Sequence, residues 1–381
     1  MLMWLPIRWG KSFIALMFLL AASSCGPREP IRIGFVANLT GANAALGVDG
    51  RDGALLAMEI VNSRGGVNGR DLELVVRDDL GTAEGAIIAD GELVNDEKVD
   101  VIIGHMTSNT MIAAWEEFKD SGVIFLSPTA STPQLSGIDD NFFRLIPVNS
   151  TFSRQLAEYA ATQLGVKRVA ILYDTDNFAF TDTFRDGFTK EFIARGGRVI
   201  VDQPFSSSTA PDFKPILEHL KEQSLDSICI IASAVDTALI AQQVQLLGLD
   251  VDLLTSNWAL TDDLMENGGR AVDGMMTVVA HDENNQSPEY LDFSQRFEER
   301  FGREPTFAAG YGFEAVLVLE NAFRYANGSS DGIKDALLQL NDLQGVNGTI
   351  SFDQSGDVVR TLYLIVVRDG QFVTEATFSV P

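Results

Sequence analysis

Residues 99–135, VDVIIGHMTSNTMIAAWEEFKDSGVIFLSPTASTPQL, decide how this chain is read. Val99, Val101, Ile102 and Ile103 make a short β-branched run that stops at Gly104, the signature of a strand buried on both faces. Met111, Trp115 and Phe118 then recur at i, i+4 and i+7, with Glu116, Glu117 and Lys119 turned to water, so the spacing predicts a helix. Val123 to Leu126 is a second apolar run, broken at Ser127-Pro128. Two turns therefore leave the carboxyl ends of neighbouring parallel strands, the edge at which open α/β sheets bind ligands. Both are rich in hydroxyls: Thr107, Ser108 and Thr110 in one, Ser127, Thr129, Ser131 and Thr132 in the other. The first turn also opens a helix, whose free N–H groups and partial positive charge suit a carboxylate or another small anion. A plain N-cap at Thr107 or Ser108, contributing about 1 kcal/mol, fits the same pattern, and the two roles are compatible.

Working outward, Ile31 to Ala37 and Leu72 to Val76 read as strands around a helix with Leu56–Ile60 and Ala57–Val61 as i, i+4 pairs. Ala86, Ala89 and Leu93 mark the next helix. After a pause at Phe143-Arg144-Leu145-Ile146-Pro147 the alternation restarts. A helix through Leu156, Ala160 and Leu164 precedes a strand at Val169 to Tyr173 and a helix lined by Phe184, Phe188 and Phe192. Further strands are predicted at Val199 to Val201, Ile228 to Ile231 and Leu253-Leu254. Such alternation predicts an α/β protein with largely parallel sheets, and its restart predicts two lobes. The last part differs: a strand at Met275 to Ala280, helices through Phe293–Phe301, Ala308–Tyr325 and Ile333–Leu340, then only strands. The final two, Thr361 to Val367 and Phe372 to Phe378, meet at Asp369-Gly370 as a hairpin.

The chain has 381 residues, 46% hydrophobic and 21% charged, which fits folded domains with sizeable cores rather than disorder. Its formal net charge of −25 would become −27 on loss of Arg8 and Lys11, and such a surface is a poor partner for nucleic acid. Residues 1–25 read as a targeting segment: a basic start, an apolar stretch from Phe13 to Ala22, and the small residues Ala22, Ser23 and Ser24 before Cys25. This resembles a bacterial lipobox, with Ala22 where leucine is usual, and implies lipidation of Cys25; ordinary cleavage and secretion is the alternative. With Cys25 lipidated, Cys229 has no disulfide partner, and its apolar run SICIIAS predicts a small buried hydrophobe.

The segments IRIGFVANLTGANAALG (31–47), IVNSRGGVNGR (60–70), LELVVRDD (72–79), DVIIGHMTSNT (100–110), FLSPTASTPQL (125–135), FFRLIP (142–147) and GVNGTISFDQSGD (345–357) together resemble the leucine/isoleucine/valine-type solute-binding proteins of ABC importers, in family order over nearly the whole chain beyond residue 30. The resemblance implies the type I periplasmic binding fold: two Rossmann-like lobes joined by three hinge crossovers. It divides the chain into 31–148 with 279–347 as one lobe and 149–278 with 348–381 as the other. It also implies a ligand held in the interlobe cleft by hinge closure, an ABC permease of the inner membrane as partner, and a periplasmic or surface location. A monomer is expected.

By position, the resemblance assigns Ser108 to the ligand's carboxylate, with Thr107 beside it, and gives Thr129 and Ser131 to the second turn; Ser131 and Thr132 could equally cap the residues at Pro133. The second lobe departs from the family. Where Tyr-Gly is frequent, this chain has Asn177-Phe178-Ala179, so Phe178 keeps an aromatic lid without a hydroxyl. A glutamate that often binds the ligand's ammonium falls near Ser256-Asn257-Trp258, where no carboxylate stands. These changes count against a free α-amino acid without removing it: the expected solute is an amino acid or a related carboxylate or amide. Trp258 is either a pocket wall or an edge of the core, and Asp236 either an ammonium partner or an N-cap.

Enzyme readings find little support. None of the three histidines, His105, His219 and His281, lies four residues from another, and no HExxH, CxxC, phosphate-binding loop or GxSxG elbow occurs. His105 lies in the first turn near Ser108, but nothing nominates a third catalytic group, so it reads as ligand-lining or merely local. No catalytic residue, cofactor or metal is expected. A ligand sensor on the same fold, coupled to a signalling partner, is the alternative to a transport receptor.

Overall fold

The computed structural model describes Met1 and residues 28–41, 44–209, 212–330 and 332–378. The expected targeting segment and Cys25 lie outside the described residues.

Among the described residues, the first half forms β1 (Ile31–Ala37), α1 (Ala45–Ser63), β2 (Leu72–Asp78), α2 (Ala83–Gly91), β3 (Val101–Ile103), α3 (Ser108–Phe118), β4 (Ile124–Ser127) and β5 (Phe142–Arg144). These strands build one parallel sheet in the order β2-β1-β3-β4-β5. Both faces are covered, as a parallel sheet requires: Phe35, Val101 and Ile103 pack in one apolar cluster, while Val36, Ile102 and Phe125 pack in another.

The second lobe runs through α4 (Asn149–Thr162), β6 (Arg168–Asp174), α5 (Phe178–Ala194), β7 (Arg198–Phe205), α6 (Lys214–Lys221), β8 (Ser227–Ile231), α7 (Ala234–Leu246), β9 (Asp252–Thr255), α8 (Asp262–Gly268) and β10 (Met276–Val279). The chain then returns to the first lobe with α9 (Pro288–Phe301), α10 (Phe307–Tyr325), α11 (Ile333–Leu338) and the hairpin β11 (Leu343–Gly345) and β12 (Gly348–Ile350). It ends on the second sheet with β13 (Leu362–Arg368) and β14 (Gln371–Phe378), giving the order β14-β13-β10-β9-β8-β6-β7. β13 is antiparallel to both neighbours. The turn expected at Asp369-Gly370 has φ of 51° and 75°, the left-handed pair of a tight hairpin. The α/β class and paired parallel sheets match the sequence reading.

Residues 348–360, which the resemblance puts with the second lobe, are held by the first. β12 pairs with β11, Phe352 packs edge-on against Phe143 at 5.4 Å, and Arg144 Nε donates to Asp357 at 2.5 Å. The chain crosses only after Arg360. That side chain is buried at the hinge, where it donates to the Leu145 carbonyl at 2.8 Å and pairs with Glu314 at 2.7 Å. Tyr311 donates to the Ala280 carbonyl at 3.1 Å beside it.

Two helices of the first lobe fix one wall of the gap between the lobes. α1 and α10 cross so closely that a Cβ at Gly53 would strike the Ala309 carbonyl, and one at Gly312 the Gly50 carbonyl. This contact sets the helix starts at Leu46 and Phe307, both of which face the same cavity.

Candidate functional site

In each sheet the chain order reverses direction once, between β1 and β3 in the first and between β6 and β8 in the second. Loops leaving the strands on either side of such a reversal diverge and leave a crevice. The two crevices face one another. The cavity between them is lined by Leu46, Met106, Thr107, Ser108, Thr129 and Phe307 from the first lobe and Asn177, Phe180, Asn257 and Trp258 from the second.

The first-lobe wall is the stretch the sequence singled out. Thr107 is the N-cap residue of α3 by backbone geometry, but its side chain makes no capping bond and instead meets Thr110 Oγ1 at 2.7 Å. Ser108 does not cap either. Its buried Oγ accepts from the N–H groups of Ser131 and Thr132, each at 3.2 Å, and so ties the second turn to the start of the helix. Thr129 Oγ1 donates to the Met106 carbonyl at 2.6 Å, and Ser127 Oγ donates to the His105 carbonyl at 2.8 Å while accepting from Ala130 N. Thr132 does cap, accepting from Gln134 N. The two turns are thereby one rigid unit facing the cavity.

His105 is not part of the lining. Its ring is fully buried behind the turn, with Nδ1 2.7 Å from Asp79 and Nε2 3.1 Å from Asp90. Burial alone would lower its pKa, but the two carboxylates outweigh it and raise the pKa to about 10, so the ring is a cation. It supports the turn from beneath because its neighbours leave no ring nitrogen for a ligand.

On the second lobe the aromatic wall is Phe180, not Phe178. Phe178 opens α5 and is 48% exposed, whereas Phe180, two residues on and on the opposite side of the helix, is buried and meets Trp258 edge-on at 5.9 Å. Trp258 is thus both pocket wall and edge of the core. Asp236 lies outside the lining, its carboxylate accepting from Ser207 Oγ at 2.5 Å and Ser233 Oγ at 3.0 Å; Ser233, not Asp236, caps α7. Ser131 is fully buried behind Ser108 and its Oγ has no partner among the described residues. The structure therefore brings together Thr107, Ser108, Thr129 and Trp258 at the cavity, and leaves His105, Ser131, Phe178 and Asp236 outside it.

Leu46, Met106, Asn177, Phe180, Asn257 and Phe307 complete the lining without having been singled out as site residues. Asn177 Oδ1 accepts from Asn109 N at 3.1 Å, a bond that crosses from one lobe to the other at the mouth of the cavity. Asn257 is 5% exposed and its Oδ1 has no partner among the described residues. Burial pushes the Cys229 thiol up, so it is an inert core residue. No group of three or more histidine, cysteine, aspartate or glutamate side chains among the described residues could hold a metal ion, and no described helix is long and apolar enough to cross a membrane.

The sequence from residue 30 to residue 371 matches the family model described as Periplasmic binding protein. The chain belongs to that family. Among curated relatives, it is 24% identical to the leucine-, isoleucine-, valine-, threonine-, and alanine-binding protein of Pseudomonas aeruginosa, over 92% of this chain and 93% of the relative. Among solved structures, it is similar to a leucine-binding protein from Thermotoga maritima, with a TM-score of 0.85, 25% identity, and coverage of 91% of this chain and 98% of the other. A solute-binding protein of an ABC transporter from R. palustris, solved with benzoate, shares the fold at a TM-score of 0.82 and 22% identity, covering 91% of this chain and 96% of the other. This periplasmic binding protein thus has the type I architecture, with its cavity where the two sheets' strand orders reverse.

Proposed function

We propose that this protein is the extracytoplasmic substrate-binding component of an ABC importer. It captures a small solute bearing a carboxylate or carbonyl end in the interlobe cavity, and hands it to an inner-membrane permease. One observation supports this most strongly: a hydroxyl-lined helix N-terminus at the strand-order reversal of one lobe faces an aromatic wall built at the ends of β6 and β9 of the other. In this reading the free end of α3 and the hydroxyls of Thr107 and Ser108 take the polar end, with Thr129 holding the Met106 carbonyl behind them. Phe180, Trp258, Phe307, Met106 and Leu46 enclose the apolar body.

Closure is a rotation of one lobe, 31–148 with 279–360, against the other, 149–278 with 361–378, about the crossings near Pro147, Ala280 and Arg360. The Asn109–Asn177 bond belongs to the closed arrangement. Lipidation at Cys25 would tether the protein to a membrane. Export with a lipid label on the unmodified chain, and neither label nor membrane fractionation for Cys25→Ala, tests the anchor.

The binding reading is tested by a thermal-shift screen over amino acids, amides and aliphatic and aromatic acids, since a ligand that binds only the native state raises the midpoint. A hit that is lost in Phe180→Leu and Trp258→Leu supports the interlobe site. Hits that survive both substitutions contradict it.

A further inference from the structure

None of the ten residues that line the interlobe cavity carries an ionisable side chain. Three carboxylates on adjoining elements are engaged in the fold, and Glu283 pairs with His281, which stacks on the lining residue Phe307. Asp49, one turn along α1 from Leu46, is held by Thr306 and Arg303 at 2.7 Å each. Asp236 is held by two serines, and Asp174 accepts from the N–H groups of Asp176 and Ser207. Asp263 lines an adjoining recess that shares Leu46 and Trp258 with the cavity, and is partly open to water.

An ammonium enclosed in this cavity would therefore lose its water without gaining a counter-charge, at a cost of several kcal/mol. An anion would not, because the start of α3 carries a partial positive charge and presents the N–H groups of Ser108 and Thr110, that of Asn109 being taken by Asn177 Oδ1. Opposite that helix start the second lobe presents the amide of Asn257. It is buried, and its oxygen is unpartnered among the described residues. The amide oxygen accepts from a donor such as a hydroxyl but, being neutral, gives an ammonium no counter-charge.

Resting on the interlobe-site reading above, we propose that the solute is a small monocarboxylate whose body carries no positive charge. It is an unsubstituted or 2-hydroxy acid with a branched or aromatic side chain, selected over the corresponding α-amino acid by Asn257. The carboxylate lies at the start of α3, the apolar body between Phe180, Trp258 and Phe307, and a neutral hydroxyl at Asn257.

The test is calorimetry with two matched series: leucine, 2-hydroxy-4-methylpentanoate and 4-methylpentanoate; and phenylalanine, 3-phenyllactate and 3-phenylpropanoate. In at least one series the hydroxy or unsubstituted acid should bind at least tenfold more tightly than the amino acid. Asn257→Asp, which puts a carboxylate at that point, should reverse the order. An amino acid that binds more tightly than both of its partners overturns the proposal. If that binding is lost in Phe180→Leu, the interlobe site itself stands; if it persists there, the site reading fails too. Loss of amino-acid binding in Asp263→Asn would show that the counter-charge comes from the rim, and also overturns the proposal. Absence of binding by all six compounds contradicts it directly.

Discussion

The two walls of the cavity are built on different principles. On the first lobe, the hydroxyls that face or underlie the cavity are committed to the fold: Ser108 holds two backbone amides, Ser127 and Thr129 brace carbonyls of the opposite turn, and only Ser131 is left over. On the second lobe, Thr237 Oγ1, Ser256 Oγ, Asn257 Oδ1 and Thr261 Oγ1 are buried without partners among the described residues. A buried polar atom left unpaired costs about 1–3 kcal/mol, and one of the four, Asn257 Oδ1, lines the cavity, so the second wall carries hydrogen-bonding capacity that the fold itself does not use. The first wall is a rigid cradle. The second supplies selectivity. Substitutions on the first should therefore cost stability together with affinity, and those on the second mainly affinity.

The largest effect is expected beneath the first wall. His105→Leu leaves Asp79 and Asp90 buried without their cation and should destabilise the protein by about 3–5 kcal/mol. The His105 pKa is raised in the fold, from 6.5 to about 10, so its contribution is full below about pH 6.5 and is lost as pH climbs toward 10. Denaturant unfolding of both proteins at pH 6 and pH 10 should show the gap between them shrinking at the higher pH. A gap that is independent of pH contradicts a charged His105.

Ser108→Ala comes next. It deprives Ser131 N and Thr132 N of their acceptor, so stability should fall by about 1–3 kcal/mol, more than a lost cap would cost. Affinity for the bound acid should fall roughly tenfold to a hundredfold, read by calorimetry. On the second wall Asn257→Leu should weaken the same ligand at least tenfold while leaving the melting temperature level or higher, because the Oδ1 it removes has no partner. A drop in melting temperature like that of Ser108→Ala would erase the distinction between the walls. The smallest effect belongs to Phe178→Ala: at a residue 48% exposed and outside the cavity, stability should move by no more than about 0.5 kcal/mol and affinity not at all.

That last substitution marks where the sequence stops being informative. Strand and helix were legible because β-branched runs such as Val101–Ile103 and i, i+4 spacings such as Phe184, Phe188 and Phe192 report burial directly. The first wall was legible for a related reason, since both of its turns lie in one continuous stretch with an evident helix start. The second wall is assembled from the ends of β6 and β9 and the helix starts after them, far apart in the chain. There, two residues of helix phase decide whether Phe178 or Phe180 faces inward, and no periodicity fixes the phase at a helix start. His105 was misplaced because a histidine in a turn looks accessible until the folded positions of Asp79 and Asp90 are known. The third crossing, expected at residue 348, lies after Arg360 because that side chain needs Glu314 and the Leu145 carbonyl.

The central claim is that a small solute is held between the lobes with its anionic end at the start of α3. The most direct measurement is a crystal structure of the protein with the tightest-binding compound from the two acid series. The account expects the carboxylate oxygens within about 2.7–3.1 Å of the Ser108 or Thr110 backbone amides or of the Thr107 and Ser108 hydroxyls, with the body against Phe180 and Trp258. A carboxylate turned toward Asn257, or a ligand seated in the groove that α1, α9 and α10 form around Phe293 and Phe313, would contradict it.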